Sequence, residues 1–172
     1  MLRSRGYPTF FKLMAIILWV SLIGCAPVIS KQLREQAKPN ITAGDVLKNT
    51  ENYKGEMVIL SGVIIESENT KEGTLLKVLQ RPPGFREKPK DVDTSEGRFL
   101  ALIDHYLDVS VYAKDRAVTI GGTIQGIRTL PLGEIQYNYP LINVKEIHLW
   151  PVEKSNAYTN PSFQIGVGYL YW

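Results

Sequence analysis

Apolar and polar positions divide this chain into four textures. Residues 13–23 form a nearly unbroken apolar run, and residues 25–40 are polar with little periodicity. From 41 to 152, branched apolar stretches alternate with turn-forming residues, and 153–172 is rich in aromatics. The third texture predicts β-structure. Met57 to Ile65 is a long apolar strand, Asn69 to Gly73 a turn, and Thr74 to Leu79 a second strand ended by Arg81-Pro82-Pro83-Gly84. A polar loop continues to about Gly97. Arg98 to Ile103 is a third strand, Ala117 to Gln125 a fourth, and Glu134 to Tyr139 a fifth that leads through Pro140 into Leu141 to Trp150. Ahead of them, Thr42-Ala43-Gly44-Asp45 has capping-box spacing with Asp in the Glu position, which predicts a short helix over 43–51 closed by Gly55.

An internal echo narrows the fold. Lys54 to Ile64 lines up with Lys114 to Ile124, each an apolar strand with a glycine near its middle. A mid-strand glycine weakens a strand but permits the tight coiling that a small barrel needs. Chance similarity of two Val/Ile-rich strands is the plainer alternative. Together the elements predict a mainly β fold: a small OB-like Greek-key barrel of five to six strands with one short N-terminal helix.

The 11-residue run at 13–23 is too short to span a bilayer. As a helix it covers about 16 Å at 1.5 Å per residue, whereas a hydrocarbon core needs roughly 20 apolar residues. Arg3, Arg5 and Lys12 precede it with no acid among the first 24 residues, the layout of a signal peptide. Those three bases account for the whole formal charge of +3, so the remainder is balanced and carries no basic signature of nucleic-acid binding. The chain has one cysteine, Cys25, which excludes an intramolecular disulfide framework. Domains are therefore expected as leader (1–24), tether (25–40), barrel (41–152) and aromatic-rich tail (153–172).

Leu22-Ile23-Gly24-Cys25 resembles the lipobox of bacterial lipoproteins. The resemblance implies cleavage between Gly24 and Cys25, with a diacylglycerol thioether and an N-acyl chain on Cys25. These lipids are a covalent anchor, and no separate cofactor is expected. An ordinary secretory signal with a chance cysteine, or an uncleaved anchor, is the alternative. Ala26 after the cysteine, in place of an inner-membrane-retaining Asp, points to outer-membrane sorting, with the domain expected to face the periplasm.

Further pieces in order resemble the Slp family of outer-membrane lipoproteins. They are Tyr53-Lys54-Gly55 leading into Val58 to Ile64, Leu76-Lys77-Val78-Leu79 with Pro82, Gly97-Arg98-Phe99, Leu107-Asp108, Val118 to Ile124, Gly133-Glu134, Tyr137, Tyr139-Pro140 and Trp150. The resemblance implies an envelope role in starvation or stress and no established catalytic residue. This chain departs from it at Ser61-Gly62, where members often have Gly-Gly, and at Leu60, where they often have Trp.

Candidate chemistry is sparse. His105 and His148 lack ligand-spaced partners, and the pairs Asp104-His105 and Glu146-x-His148 are commonplace. One loop stands out: Arg81, Arg86, Lys88 and Lys90 surround Phe85, opposed within it by Glu87 alone. An OB barrel presents such loops beside its binding face, so an anion-binding site for a glycolipid or lipid head group is one reading and a solvated loop the plainer one. The tail alternates at Phe163, Ile165, Val167, Tyr169 and Tyr171 and ends on Trp172, somewhat like the last strand of a membrane barrel. The leading expectation is a lipid-anchored, non-enzymatic domain of the outer membrane. Its expected partners are the membrane and an envelope protein or glycolipid, not nucleic acid. A small integral barrel and an envelope hydrolase are the alternatives.

Overall fold

The computed structural model describes residues 27–152. Signal peptide, cleavage site, Cys25 and the aromatic tail thus lie outside the described residues. Three short helices, α1 (Lys31–Gln36), α2 (Ala43–Lys48) and α3 (Thr50–Tyr53), precede five strands: β1 (Met57–Thr70), β2 (Gly73–Gln80), β3 (Arg98–Ile103), β4 (Ala117–Leu132) and β5 (Ile135–Leu149). The strands close into a barrel in the order β1-β2-β3-β5-β4. All neighbours are antiparallel except β3 and β5. This is the OB arrangement, with five strands rather than six.

Alternation along the strands sorts the side chains. Val58, Leu60 and Ile64 of β1, Leu76 and Val78 of β2, Phe99, Ala101 and Ile103 of β3, Val118, Ile120 and Ile124 of β4, and Ile142 and Val144 of β5 fill the interior. The two echoing strands are neighbours, with Val58 opposite Gly122 and Gly62 opposite Val118. A Cβ on Gly62 would lie 2.3 Å from the Leu79 carbonyl oxygen, and one on Gly122 would lie 2.4 Å from that of Asn143. Both glycines therefore admit a neighbouring backbone where the wall coils. A lumen packed with apolar side chains is the opposite of a membrane-spanning barrel, whose interior is polar and whose outer wall faces lipid. The described domain is not that alternative.

Three expectations about the elements are corrected. The helix expected over 43–51 breaks at Asn49 into α2 and α3. Its start is as expected: Thr42 and Asp45 form a reciprocal capping box, and Ala43 and Val46 join the barrel core. The fourth and fifth strands are one long hairpin, because β4 continues seven residues past Gln125 and Pro140 does not interrupt β5. Ile127 lies opposite Pro140 at an irregular stretch of the ladder, next to the register shift between Ile124 and Gly126. The third correction concerns the tether. Its later part is not free: Ile29 and Leu33 are buried, and α1 lies on the barrel wall.

Candidate functional site

Register places three rows of residues side by side on the outer wall of β1, β4 and β5. The first is Ile59, Gly121 and Glu146, and the second is Ser61, Thr119 and His148. The third is Val63 and Ala117, flanked by Trp150, whose amide donates to the Ala117 carbonyl at 2.9 Å. The N-terminal segment covers the first row. The Ser30 amide donates to Glu146 Oε2 at 2.7 Å, the Ser30 hydroxyl donates to the other carboxylate oxygen, and Leu33 sits over Gly121. Gly121 has no side chain to keep Leu33 out.

The basic loop covers the second row and is a built hairpin. The Gly84 amide donates to the Lys88 carbonyl at 2.7 Å, and the Lys90 amide to that of Pro82 at 2.9 Å. Arg86 and Glu87 take left-handed conformations, with φ of 55° and 62°. Such residues cost on the order of 1–3 kcal/mol each unless their surroundings hold them. The surroundings do so here. The Glu87 carbonyl accepts hydrogen bonds from Ser61 Oγ at 2.6 Å and Thr119 Oγ1 at 2.7 Å. Trp150 Nε1 donates to the same Thr119 oxygen at 2.9 Å. The Glu87 carboxylate meets Arg34 of α1 in a two-pronged pair, one prong at 2.9 Å. The loop is therefore held in one ordered geometry.

Beside it, over the third row, lies a cavity of about 600 Å³. All four loop bases singled out in the sequence, Arg81, Arg86, Lys88 and Lys90, line it. Arg116 is a fifth that sequence spacing did not reveal, 26 residues beyond Lys90, and Asp91 and Asp115 are the only acids in the lining. Trp150 forms one wall, with Lys88 Nζ 5.9 Å from the indole centroid, within cation–π range. Phe85 is 77 % exposed at the rim. Arg81 Nε and Nη1 are buried without a hydrogen-bond partner, as is Arg116 Nε. Leaving a buried donor unsatisfied costs about 1–3 kcal/mol, more when it is charged. An anionic acceptor that reached the Arg81 guanidinium would relieve this cost.

His148 borders this system. Its ring meets the Trp150 ring edge-on with centroids 4.6 Å apart. Burial, and secondarily the positive charge of Arg86, hold its pKa below the usual 6.5. Glu146 is engaged by Ser30 and not by this histidine. His105 follows β3, pairs with the exposed Asp104 at 2.9 Å, and does not line the cavity. Among the described residues no three His, Cys, Asp or Glu side chains cluster to hold a metal.

The expectation that the loop lies beside the usual OB binding face is corrected. That face is the outer side of strands 2 and 3, and here the protein covers it with its own β4–β5 hairpin. Leu75 and Leu100 pack with Tyr139, flanked by Leu102, Leu130, Tyr137 and Leu141. Arg128 Nη2 pairs with Glu72 at 3.1 Å across the ends of the β1–β2 and β4–β5 hairpins. The basic cavity is on a different side of the barrel.

Comparison with known proteins places the chain beside two curated relatives and several solved structures. The chain is 28 % identical over 161 residues to the outer membrane protein Slp of Escherichia coli K12, covering 92 % of this chain and 85 % of that one. It is 24 % identical over 102 residues to an uncharacterized protein of Haemophilus influenzae, covering 59 % and 55 %. Among solved structures, it is similar to a small single-stranded DNA-binding protein of Streptomyces coelicolor (12 % identity, TM-score 0.33, 55 % of this chain and 94 % of that one). It is also similar to a mitochondrial single-stranded DNA-binding protein of S. cerevisiae (10 % identity, TM-score 0.32, 56 % and 95 %). The family model described as outer membrane lipoprotein Slp family matches residues 22–172. The chain belongs to the outer membrane lipoprotein Slp family.

Proposed function

We propose that this protein is held at the outer membrane by acyl chains on Cys25 and acts as a non-enzymatic binding module for a phosphate-bearing group of the envelope. The carrying observation is the cavity in which Arg81, with two buried unpartnered N–H groups, stands among four further bases against a Trp150 wall. Guanidinium groups match phosphate oxygens in both charge and geometry. The ordered loop lowers the entropy lost on binding. Cleavage before Cys25 and acylation of its sulfur and new amino group supply more than the two signals needed for stable anchoring.

Two measurements test this reading. In cells fed radioactive palmitate, the parent protein takes up label and Cys25→Ser does not; label in that variant removes the anchor. Purified protein binds lipopolysaccharide, and binding weakens about tenfold or more in Arg81→Gln/Lys90→Gln, since a charge-assisted hydrogen bond contributes about 1.5–3 kcal/mol. The same loss is expected when the lipopolysaccharide is dephosphorylated. Equal binding of parent and variant would remove the cavity from the reading.

A further inference from the structure

The docked N-terminal segment bears on which way the cavity faces. A free tether from Cys25 to Asn40 would reach about 50 Å at 3.3–3.6 Å per residue and leave the barrel free to turn. The structure shortens it. Ile29 is fully buried, the Ser30 amide and hydroxyl both hold Glu146, and Leu33 fills the notch over Gly121. Arg34 grips Glu87 of the basic loop, and the Lys38 amide donates to the Met57 carbonyl at 2.9 Å. Cys25 stands four residues ahead of Ile29 in the sequence, a reach of at most about 14 Å. The docked segment lies over the wall row of Gly121 and Glu146. The cavity begins at Val63, four residues along β1 from Ile59 of that row, or about 13 Å. The docked N-terminal segment and the cavity therefore share one side of the barrel.

From this we infer that residues 29–38 are a strap that turns the basic cavity onto the bilayer holding the Cys25 acyl chains, where the loop docks on anionic phosphoglycerolipid head groups. The inference rests on the acylation of Cys25 and on the anion-binding reading of the cavity. The rim suits such a surface. Phe85 and Val152, 77 % and 68 % exposed, stand beside Arg81, Lys90 and Arg116. An apolar tip amid cations can enter the head-group layer while the charges stay at phosphate level. The C-terminal segment, which continues from Val152 at the cavity edge, is the competing occupant.

The test uses the full acylated protein in vesicles of phosphatidylglycerol and phosphatidylethanolamine. A fluorophore is placed on Phe85→Cys or, as reference, on Lys71→Cys at the β1–β2 turn, and is quenched by head-group spin-labelled lipid. Quenching at position 85 is expected to exceed that at 71 about fivefold, because only the former lies at the charged surface. Adding Leu33→Asp, which undocks the strap, brings the two positions within about twofold. Co-flotation with the vesicles reports the anchor separately. Loss of flotation in the parent would overturn the anchor and the orientation together. Flotation with equal quenching at 85 and 71 overturns the orientation alone. Strong quenching at 85 only after removal of residues 153–172 assigns the cavity to the protein's own tail and also overturns the inference.

Discussion

Two adjacent glycines do different work in β4. A Cβ on Gly121 would come within 2.7 and 2.9 Å of the Leu33 methyl groups, whereas one on Gly122 would meet the Asn143 carbonyl oxygen at 2.4 Å. A leucine tip can move away; a paired backbone cannot. Gly122→Ala is expected to destabilise the barrel by about 1–3 kcal/mol or more, as overpacking does. Gly121→Ala is expected to leave the barrel's thermal transition nearly unchanged while exposing α1 to proteolysis. Calorimetry and limited digestion of the pair check this. His148 gives a second prediction at this scale. Its pKa is depressed when folded, so the native state binds fewer protons than the unfolded chain just below pH 6.5. Its contribution is intact above that pH and is lost as the pH falls through the folded value. The parent should thus lose more Tm between pH 7 and 5 than His148→Gln. By linkage, an anion near Arg86 raises the His148 pKa, so phosphate-group binding should tighten on acidification in the parent and less so in the variant.

At the scale of elements, the β2–β3 loop is informative because its composition suggested a solvated connection. Two outward hydroxyls make it otherwise. Ser61 and Thr119, partners across β1 and β4, both donate to one carbonyl of Glu87. Ser61 thus supplies a fastening that a glycine at its position could not. The double variant Ser61→Ala/Thr119→Val removes both donors and should destabilise the loop by about 1–3 kcal/mol. Amide exchange at Gly84 and Lys90 should then accelerate, with the core strands unchanged; unaltered exchange would show that the Arg34–Glu87 pair alone holds the loop. At Asp45 the sequence expectation and the structure agree closely. The Thr42 hydroxyl donates to its carboxylate at 2.7 Å and holds it below the usual carboxylate range. That capping contribution is present above about pH 4 and fades only in stronger acid, a window separate from that of His148.

For the whole molecule, the hairpin that outgrows the barrel decides which surfaces are available. Tyr139 is 1 % exposed and stacks edge-on with Tyr137 at 4.6 Å over the outer side of β2 and β3. Tyr139→Ala should cost about 3–5 kcal/mol, the range for removing a large buried aromatic. The protein as it stands is expected not to bind single-stranded DNA across that covered face, which a gel-shift titration checks. The same architecture leaves the β1–β4–β5 side as the place where strap, basic loop and cavity meet.

Strand positions, the capping box and the membership of four bases in one loop were legible along the chain, because each follows from neighbours within a few residues. Period-two alternation sets which face of a strand is buried, and a run of 11 apolar residues is too short to span. The fastening of the strap was not legible. Leu33 and Gly121, Ser30 and Glu146, Arg34 and Glu87 lie 53 to 116 residues apart where hydrogen bonds join them, and no local pattern links them. Nor was Arg116 visible as a companion of the loop, or the hairpin as a cover for β2 and β3. Local chemistry determined what each segment could become. Closure of the barrel determined which segments touch, because only closure brings outward rows from three strands into one surface.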